Sequence, residues 1–264
     1  MGYAFVEHRG ARLCYRLDGR SEAPPLVLLN SIGTGMNLWS AALSPLSEHF
    51  HVLRVDARGH GASTATDGDY NLASLVDDLV AVMNAARIGR ALIAGVSLGG
   101  MIAMELALGR PERVEGLVLV CTSAAMDHAA WQARIDAVRA GGMHAIADLA
   151  MQRFLSDGFR MAQPAVADAI HTGLLATDAR GYAGCAAAIR DMDLAFRLGG
   201  ITCPVLVVAG GKDVSTPCEP HGRLLVESMK GAELAMVDTG HLAPVEAPDV
   251  LAQLIVDFSE RSSA

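Results

Sequence analysis

Residues 92–108 read LIAGVSLGGMIAMELAL. An apolar run enters Gly95-Val96-Ser97-Leu98-Gly99-Gly100 and leaves as a helix-like segment, closed by Gly109 and then Pro111. Glycine two residues before and two after the serine makes room for a tight turn. That turn lifts one hydroxyl above the end of a buried strand, at the start of a helix. The run is apolar without alternation, which predicts a strand buried on both faces, as in a parallel sheet flanked by helices.

The rest of the chain repeats this rhythm. Apolar runs recur at LVLLN (26–30), HVLRVD (51–56), ALIAGV (91–96), VEGLVLVC (114–121), PVLVVAG (204–210) and AELAMVD (232–238). Helical stripes lie between several of them. Asn71 can cap a helix that buries Leu72, Leu75, Val76, Leu79 and Met83, and a last helix starts near Pro248. Alternation of β and α predicts an α/β fold, a mostly parallel central sheet with helices on both faces. Residues 123–200 break the pattern: they carry helical stripes through Trp131, Ile135, Val138 and Phe154 and no convincing strand. The expected organisation is a core of residues 1–122 and 201–264 with a helical lid inserted at 123–200, over the carboxyl ends of the strands where open α/β sheets bind ligands.

Composition narrows the function. The 264 residues are 52% hydrophobic, yet charges such as Glu105 and Arg110 interrupt every stretch long enough to span a bilayer. The first twenty residues are charged throughout and do not resemble a signal peptide, and Met1-Gly2 lacks the Ser or Thr at position 6 that myristoylation asks for. A net charge of −8 argues against a nucleic-acid partner. Cys14, Cys121, Cys185, Cys203 and Cys218 are odd in number and widely spaced, so neither a disulfide framework nor a zinc site is expected, and no metal is assigned. A cytoplasmic protein is expected.

A serine hydroxyl is a poor nucleophile until a base takes its proton. His241, in MVDTGHLAPVE, follows the last expected strand and stands at the same sheet edge as Ser97. His144 and His171 fall in helical segments; His60, in DARGHGAS, is a closer competitor held in a glycine-rich loop. The base needs a carboxylate to fix its tautomer. Asp213 sits just past the strand at 204–210, with Asp238 and Asp127 as rivals. The order Ser97, Asp213, His241, each residue at a strand's carboxyl end, is that of a Ser-His-Asp hydrolase on an α/β sheet. Donors for a developing oxyanion would be the backbone amides of Leu98 and of Ile32, in LVLLNSIGTG at 26–35.

The Asn30-Ser31-Ile32-Gly33-Thr34 loop followed by Trp39, LRVDARGHGAS (53–63), AGVSLGGM, the lid pattern Trp131…Arg134…GGM, and GYAGCAAAIRDMDL (181–194) together resemble the 3-oxoadipate enol-lactonases of the α/β-hydrolase superfamily. After the histidine this chain reads Gly240-His241-Leu242-Ala243-Pro244-Val245-Glu246, where family members often read SHLSNIE. The resemblance implies a catalytic triad of Ser97, Asp213 and His241, an oxyanion hole from Ile32 and Leu98, a substrate pocket under the lid, and a place in aromatic-compound catabolism by the beta-ketoadipate pathway. It implies a serine esterase without a cofactor that opens an acidic lactone. A basic lid residue should then meet the substrate's carboxylate. Arg134, one helical turn beyond Trp131, Tyr182 and Arg190 are the candidates, each equally readable as a solvated or packing residue. A general carboxylesterase, a C–C bond hydrolase of ring-cleavage products, a cofactor-free perhydrolase and a ligand receptor on the same fold are the alternatives. The expected partner is a small acidic lactone or ester, with no nucleic acid and no membrane; a homo-oligomer is compatible with the sequence.

Overall fold

The computed structural model describes residues 2–263, so Met1 of the Met1-Gly2 start lies outside the described residues. Eight strands form one sheet: β1 (Ala4–His8), β2 (Ala11–Asp18), β3 (Pro25–Leu29), β4 (His51–Val55), β5 (Ala91–Val96), β6 (Val114–Val120), β7 (Val205–Gly210) and β8 (Glu233–Val237). Their order is β1-β2-β4-β3-β5-β6-β7-β8, parallel from β4 onward, with β1 and β2 antiparallel at one edge. All six expected strands are present, and β5 and β7 are buried at every residue. The β1–β2 hairpin adds two strands that the apolar runs do not announce. β1 alternates half-buried with exposed side chains, and Arg12, Arg16 and Asp18 break up β2. As an antiparallel edge it needs only one covered face.

Around the sheet run α1 (Leu43–His49), α2 (Leu72–Ala85), α3 (Leu98–Gly109) and α11 (Pro248–Ser263), with the short α9 (Arg223–Ser228) and α10 (Ala243–Glu246) before and after β8. α2 starts where Asn71 accepts from the Ser74 amide at 2.8 Å, while the Ser74 hydroxyl answers at the Asn71 backbone. It buries the expected stripe plus Val82. Each such side chain, fully removed from water, contributes about 1.5–3 kcal/mol. Between β6 and β7 lie α4 (His128–Gly141), α5 (Ala147–Phe154), α6 (Asp157–Ala162), α7 (Pro164–Leu175) and α8 (Ala179–Asp191). Their base is drawn together where the Leu194 amide donates to the Ala124 carbonyl at 2.8 Å, beside an Ala125–Asp193 bridge.

The helical block is seated on the loop after β4. Gly59 and Gly181 touch so closely that a Cβ on Gly59 would lie 2.3 Å from the Gly181 Cα. Arg58 holds that loop to α2 through a buried bidentate pair with Asp78, at 2.8 and 2.6 Å. At the rim Arg180 pairs with Asp67, and Arg139 and Arg190 both pair with Asp69. No helix among the described residues is long and apolar enough to cross a membrane, and all five cysteines are free.

Candidate active site

The turn after β5 holds Ser97 at φ 54° and ψ −116°, a left-handed conformation that costs a non-glycine residue about 1–3 kcal/mol. The surroundings enforce it. The Ser97 amide donates to the Val120 carbonyl at 3.0 Å, and the Thr122 hydroxyl donates to the Ser97 carbonyl at 2.7 Å. A Cβ on Gly95 would stand 2.3 Å from the Gly99 carbonyl carbon; one on Gly99 would stand 2.7 Å from Leu29. Both flanking glycines are therefore required by backbone contact, on the strand side and on the helix side.

β3 and β5 pair with Leu29 opposite Gly95, which brings the loop after β3 alongside the serine turn. The Gly99 amide donates to the Asn30 carbonyl at 3.0 Å, and the Asn30 side chain donates to the Val55 carbonyl at 2.7 Å. The Thr34 amide and hydroxyl both donate to the Ser31 carbonyl, at 3.2 and 2.7 Å, closing a turn around Ile32 and Gly33. Within this tightly bonded frame the amides of Ile32 and Leu98 donate no hydrogen bond among the described residues. They are free for an incoming oxygen.

Asp213 and His241 are brought together, both buried. The imidazole Nδ1 lies 2.9 Å from Asp213 Oδ2 and 3.4 Å from the Thr216 hydroxyl. Asp213 also accepts from the Ser215 amide at 2.7 Å, the Thr216 amide at 3.2 Å and the Thr216 hydroxyl at 2.8 Å. Burial alone would raise this carboxyl, but the His241 partner, the hydrogen bond to it and the donors of Ser215 and Thr216 hold it down at about 2. An ionised carboxylate on Nδ1 leaves Nε2 as the basic nitrogen. The loop carrying His241 folds back over the sheet. The Cys121 thiol donates to the Gly240 carbonyl at 3.8 Å, and Cys121 precedes the Thr122 that grips Ser97.

The rivals have other employment. Asp127 caps α4, accepting from the Ala130 amide at 2.6 Å, and Asp238 forms an exposed ion pair with Lys212 at 2.8 Å. His60 is buried with its Nδ1 donating to the Arg58 carbonyl at 3.0 Å, and burial lowers its pKa. His144 is exposed, and His171 lies 3.7 Å from Asp148 on the helical block.

Three of the four substrate-binding candidates converge. The Arg134 guanidinium stands 5.1 Å from the Trp131 ring centre and 5.8 Å from that of Tyr182, and it has no hydrogen bond or ion pair among the described residues. Tyr182 is fully buried and reaches the loop after β3, since a Cβ on Gly33 would lie 3.2 Å from its ring. Arg190 corrects the expectation. Its guanidinium is taken up by Asp191 at 2.6 Å, Gln132 at 2.7 Å and Asp69 at 3.1 Å, so it ties α8 to the rim. Saturated by two carboxylates, it has little left to offer an anion.

Some neighbours of the site escaped the sequence reading. Thr216 and Ser215 follow Asp213 in an Asx-type turn that was legible as a motif. Phe154 stacks on the His241 ring at 6.3 Å between centres and 12° between planes, from 87 residues away, and only the fold reveals that contact.

The α/β hydrolase fold profile matches residues 24–148. A 3-oxoadipate enol-lactonase of Acinetobacter baylyi is 33% identical over 237 residues, 89% of this chain and 88% of that protein. Among solved structures, a hydrolase from Pseudomonas aeruginosa superposes with a TM-score of 0.94 at 40% identity, over 97% of this chain and 98% of that one. The enol-lactonase of Burkholderia xenovorans superposes with a TM-score of 0.95 at 34% identity, over 97% of this chain and all of that one. This chain thus belongs to the α/β-hydrolase fold family and is an ester hydrolase similar to the enol-lactonases within it.

Proposed function

We propose that the protein opens the ring of 3-oxoadipate enol-lactone through a Ser97-His241-Asp213 acyl-enzyme mechanism, as a cytoplasmic enzyme of aromatic-compound catabolism. The observation that carries the chemistry is the buried Asp213–His241 pair, linked through Gly240, Cys121 and Thr122 to the strained turn of Ser97. The acidic substrate is supported by Arg134, which is unpaired beside Trp131 and Tyr182, and by the enol-lactonase relatives.

In this mechanism His241 Nε2 takes the Ser97 proton as the oxygen attacks the lactone carbonyl. The tetrahedral oxyanion receives the Ile32 and Leu98 amides. Collapse breaks the ring C–O bond, and the leaving enol oxygen takes the proton back from His241 and tautomerises to a ketone. Water, deprotonated by His241, then attacks the acyl-enzyme, and Ser97 recovers its proton as 3-oxoadipate departs. Asp213 stays ionised throughout and stabilises the imidazolium. Arg134 holds the substrate's free carboxylate, and α4–α8 serve as the lid that keeps bulk water from the acyl-enzyme. The reaction class is tested by labelling with a fluorophosphonate. One adduct per chain, at Ser97 and absent from Ser97→Ala, is the expected result; a labelled Ser97→Ala protein would overturn the assignment.

A further inference from the structure

Asp213 and Thr216 hold the His241 ring by one edge only, at Nδ1. A ring held at one nitrogen can still swing about that hydrogen bond and carry Nε2 away from Ser97. The other restraint comes from the helical block, where Phe154-Leu155-Ser156 joins α5 to α6. The Phe154 ring runs nearly parallel to the imidazole, 6.3 Å between centres and 12° between planes, and its carbonyl accepts from the Leu242 amide at 3.0 Å. Two residues on, Ser156 donates twice to one carboxylate: its amide to Glu246 Oε1 at 2.7 Å and its hydroxyl to Glu246 Oε2 at 2.7 Å. The same hydroxyl caps α6, accepting from the Phe159 amide at 3.3 Å. Residue 240 has to be glycine for the clasp to close, because a Cβ there would lie 2.7 Å from both Glu246 Oε1 and the Ser156 amide. Residues 154–156 and 240–246, the segment that carries His241, are thus locked together.

We infer that Glu246 is a positioning residue: by clasping Ser156 it keeps the Phe154 ring against His241 and so keeps Nε2 aimed at Ser97. This rests on the proposed reading of His241 as the base. Two charge-assisted bonds to one carboxylate are the strongest polar tie between these segments. Their loss removes no hydrogen bond of the sheet and frees the joint. It also follows that the α5–α6 joint travels with the catalytic loop, so any lid motion hinges elsewhere in residues 123–200.

The test compares Glu246→Ala, Glu246→Gln and Ser156→Ala with the unmodified protein, using p-nitrophenyl acetate turnover, the rate of fluorophosphonate labelling and thermal unfolding. Glu246→Ala should lower kcat and the labelling rate together by about 10- to 100-fold, the cost of a misplaced catalytic group, with KM within about threefold. Glu246→Gln should recover most of the loss, since its amide can accept from the Ser156 amide and donate to the hydroxyl. Ser156→Ala removes only one arm, and about a 3- to 10-fold loss in kcat is expected from one hydrogen bond. Should Glu246→Ala fail to fold, Ser156→Ala decides the matter alone. A folded Glu246→Ala or Ser156→Ala with unchanged kcat and labelling, whatever its melting temperature, would overturn the inference. So would a Gln variant as impaired as the Ala variant. Ser97→Ala runs alongside: residual turnover there sinks the nucleophile assignment itself, whereas an inert Ser97→Ala beside an unaffected Glu246→Ala sinks only the clasp.

Discussion

Replacing Asp213 by Asn probes the paired carboxylate without changing its shape. In the native site four donors converge on Asp213: His241 Nδ1, the Ser215 amide, and the Thr216 amide and hydroxyl. They hold the carboxyl near 2 instead of the ordinary 3.8, which at 1.36 kcal/mol per unit means that the charged form is favoured by about 2 kcal/mol despite burial. An asparagine keeps an oxygen for the two backbone amides but can present its NH2 to Nδ1. Nδ1 must then accept, the imidazole proton moves to Nε2, and the nitrogen proposed as the base towards Ser97 is no longer basic. The imidazolium also loses its counter-charge. Together these effects should lower kcat by about 10⁴-fold, or about 5 kcal/mol of transition-state stabilisation, while stability falls by no more than about 2 kcal/mol. The assay is p-nitrophenyl acetate turnover from pH 6 to 9, with the folded fraction checked by circular dichroism. A folded Asn variant within about tenfold of the native kcat would refute the role given to Asp213.

Asp213 also predicts an acid limit. Its carboxyl is depressed in the folded state, so its contribution to stability is complete above the ordinary value of 3.8 and is lost as pH falls towards 2. Chemical unfolding at a series of pH values should show that loss, and Asp213→Asn should reduce the slope in that window. Gly95→Ala should cost about 3 kcal/mol or more, because its Cβ would meet the Gly99 backbone at 2.3 Å and not a yielding side chain; a urea midpoint near that of the native protein would contradict this. Arg134→Ala should raise KM for the carboxylate-bearing lactone by about 10- to 100-fold and leave p-nitrophenyl acetate within about twofold, the loss expected for one charged hydrogen-bonding partner. An equal effect on both esters would return Arg134 to a packing role on Trp131.

Much of the core was readable because burial on both faces writes itself as unbroken apolar runs, and the runs at 91–96 and 204–210 became β5 and β7 almost to the residue. The β1–β2 hairpin was not readable by that signal, since an edge strand with one solvated face alternates weakly and tolerates Arg12 and Arg16. The positions of Ser97, Asp213 and His241 at strand ends followed from local punctuation, with glycines before the turns and a carboxylate just after a strand. The lid was legible only as helices. Whether Arg134 or Arg190 is unpaired depends on partners far along the chain: Asp69 takes up Arg190, and nothing among the described residues takes up Arg134. Spacing along α4 put Arg134 and Trp131 on one face, but no periodicity could bring Tyr182 to the same guanidinium. The Glu246–Ser156 clasp spans 90 residues and two separate elements, and was out of reach for the same reason.

The central claim is the pairing of this site with an acidic enol-lactone, and it is tested most directly by following the loss of ultraviolet absorbance of 3-oxoadipate enol-lactone with the purified protein, beside Ser97→Ala and p-nitrophenyl acetate. The account predicts fast lactone turnover that disappears in Ser97→Ala, with kcat/KM well above that for the aryl ester. Slow lactone turnover beside fast aryl-ester hydrolysis, both lost in Ser97→Ala, would contradict the substrate and leave a general esterase under a lactonase-like lid.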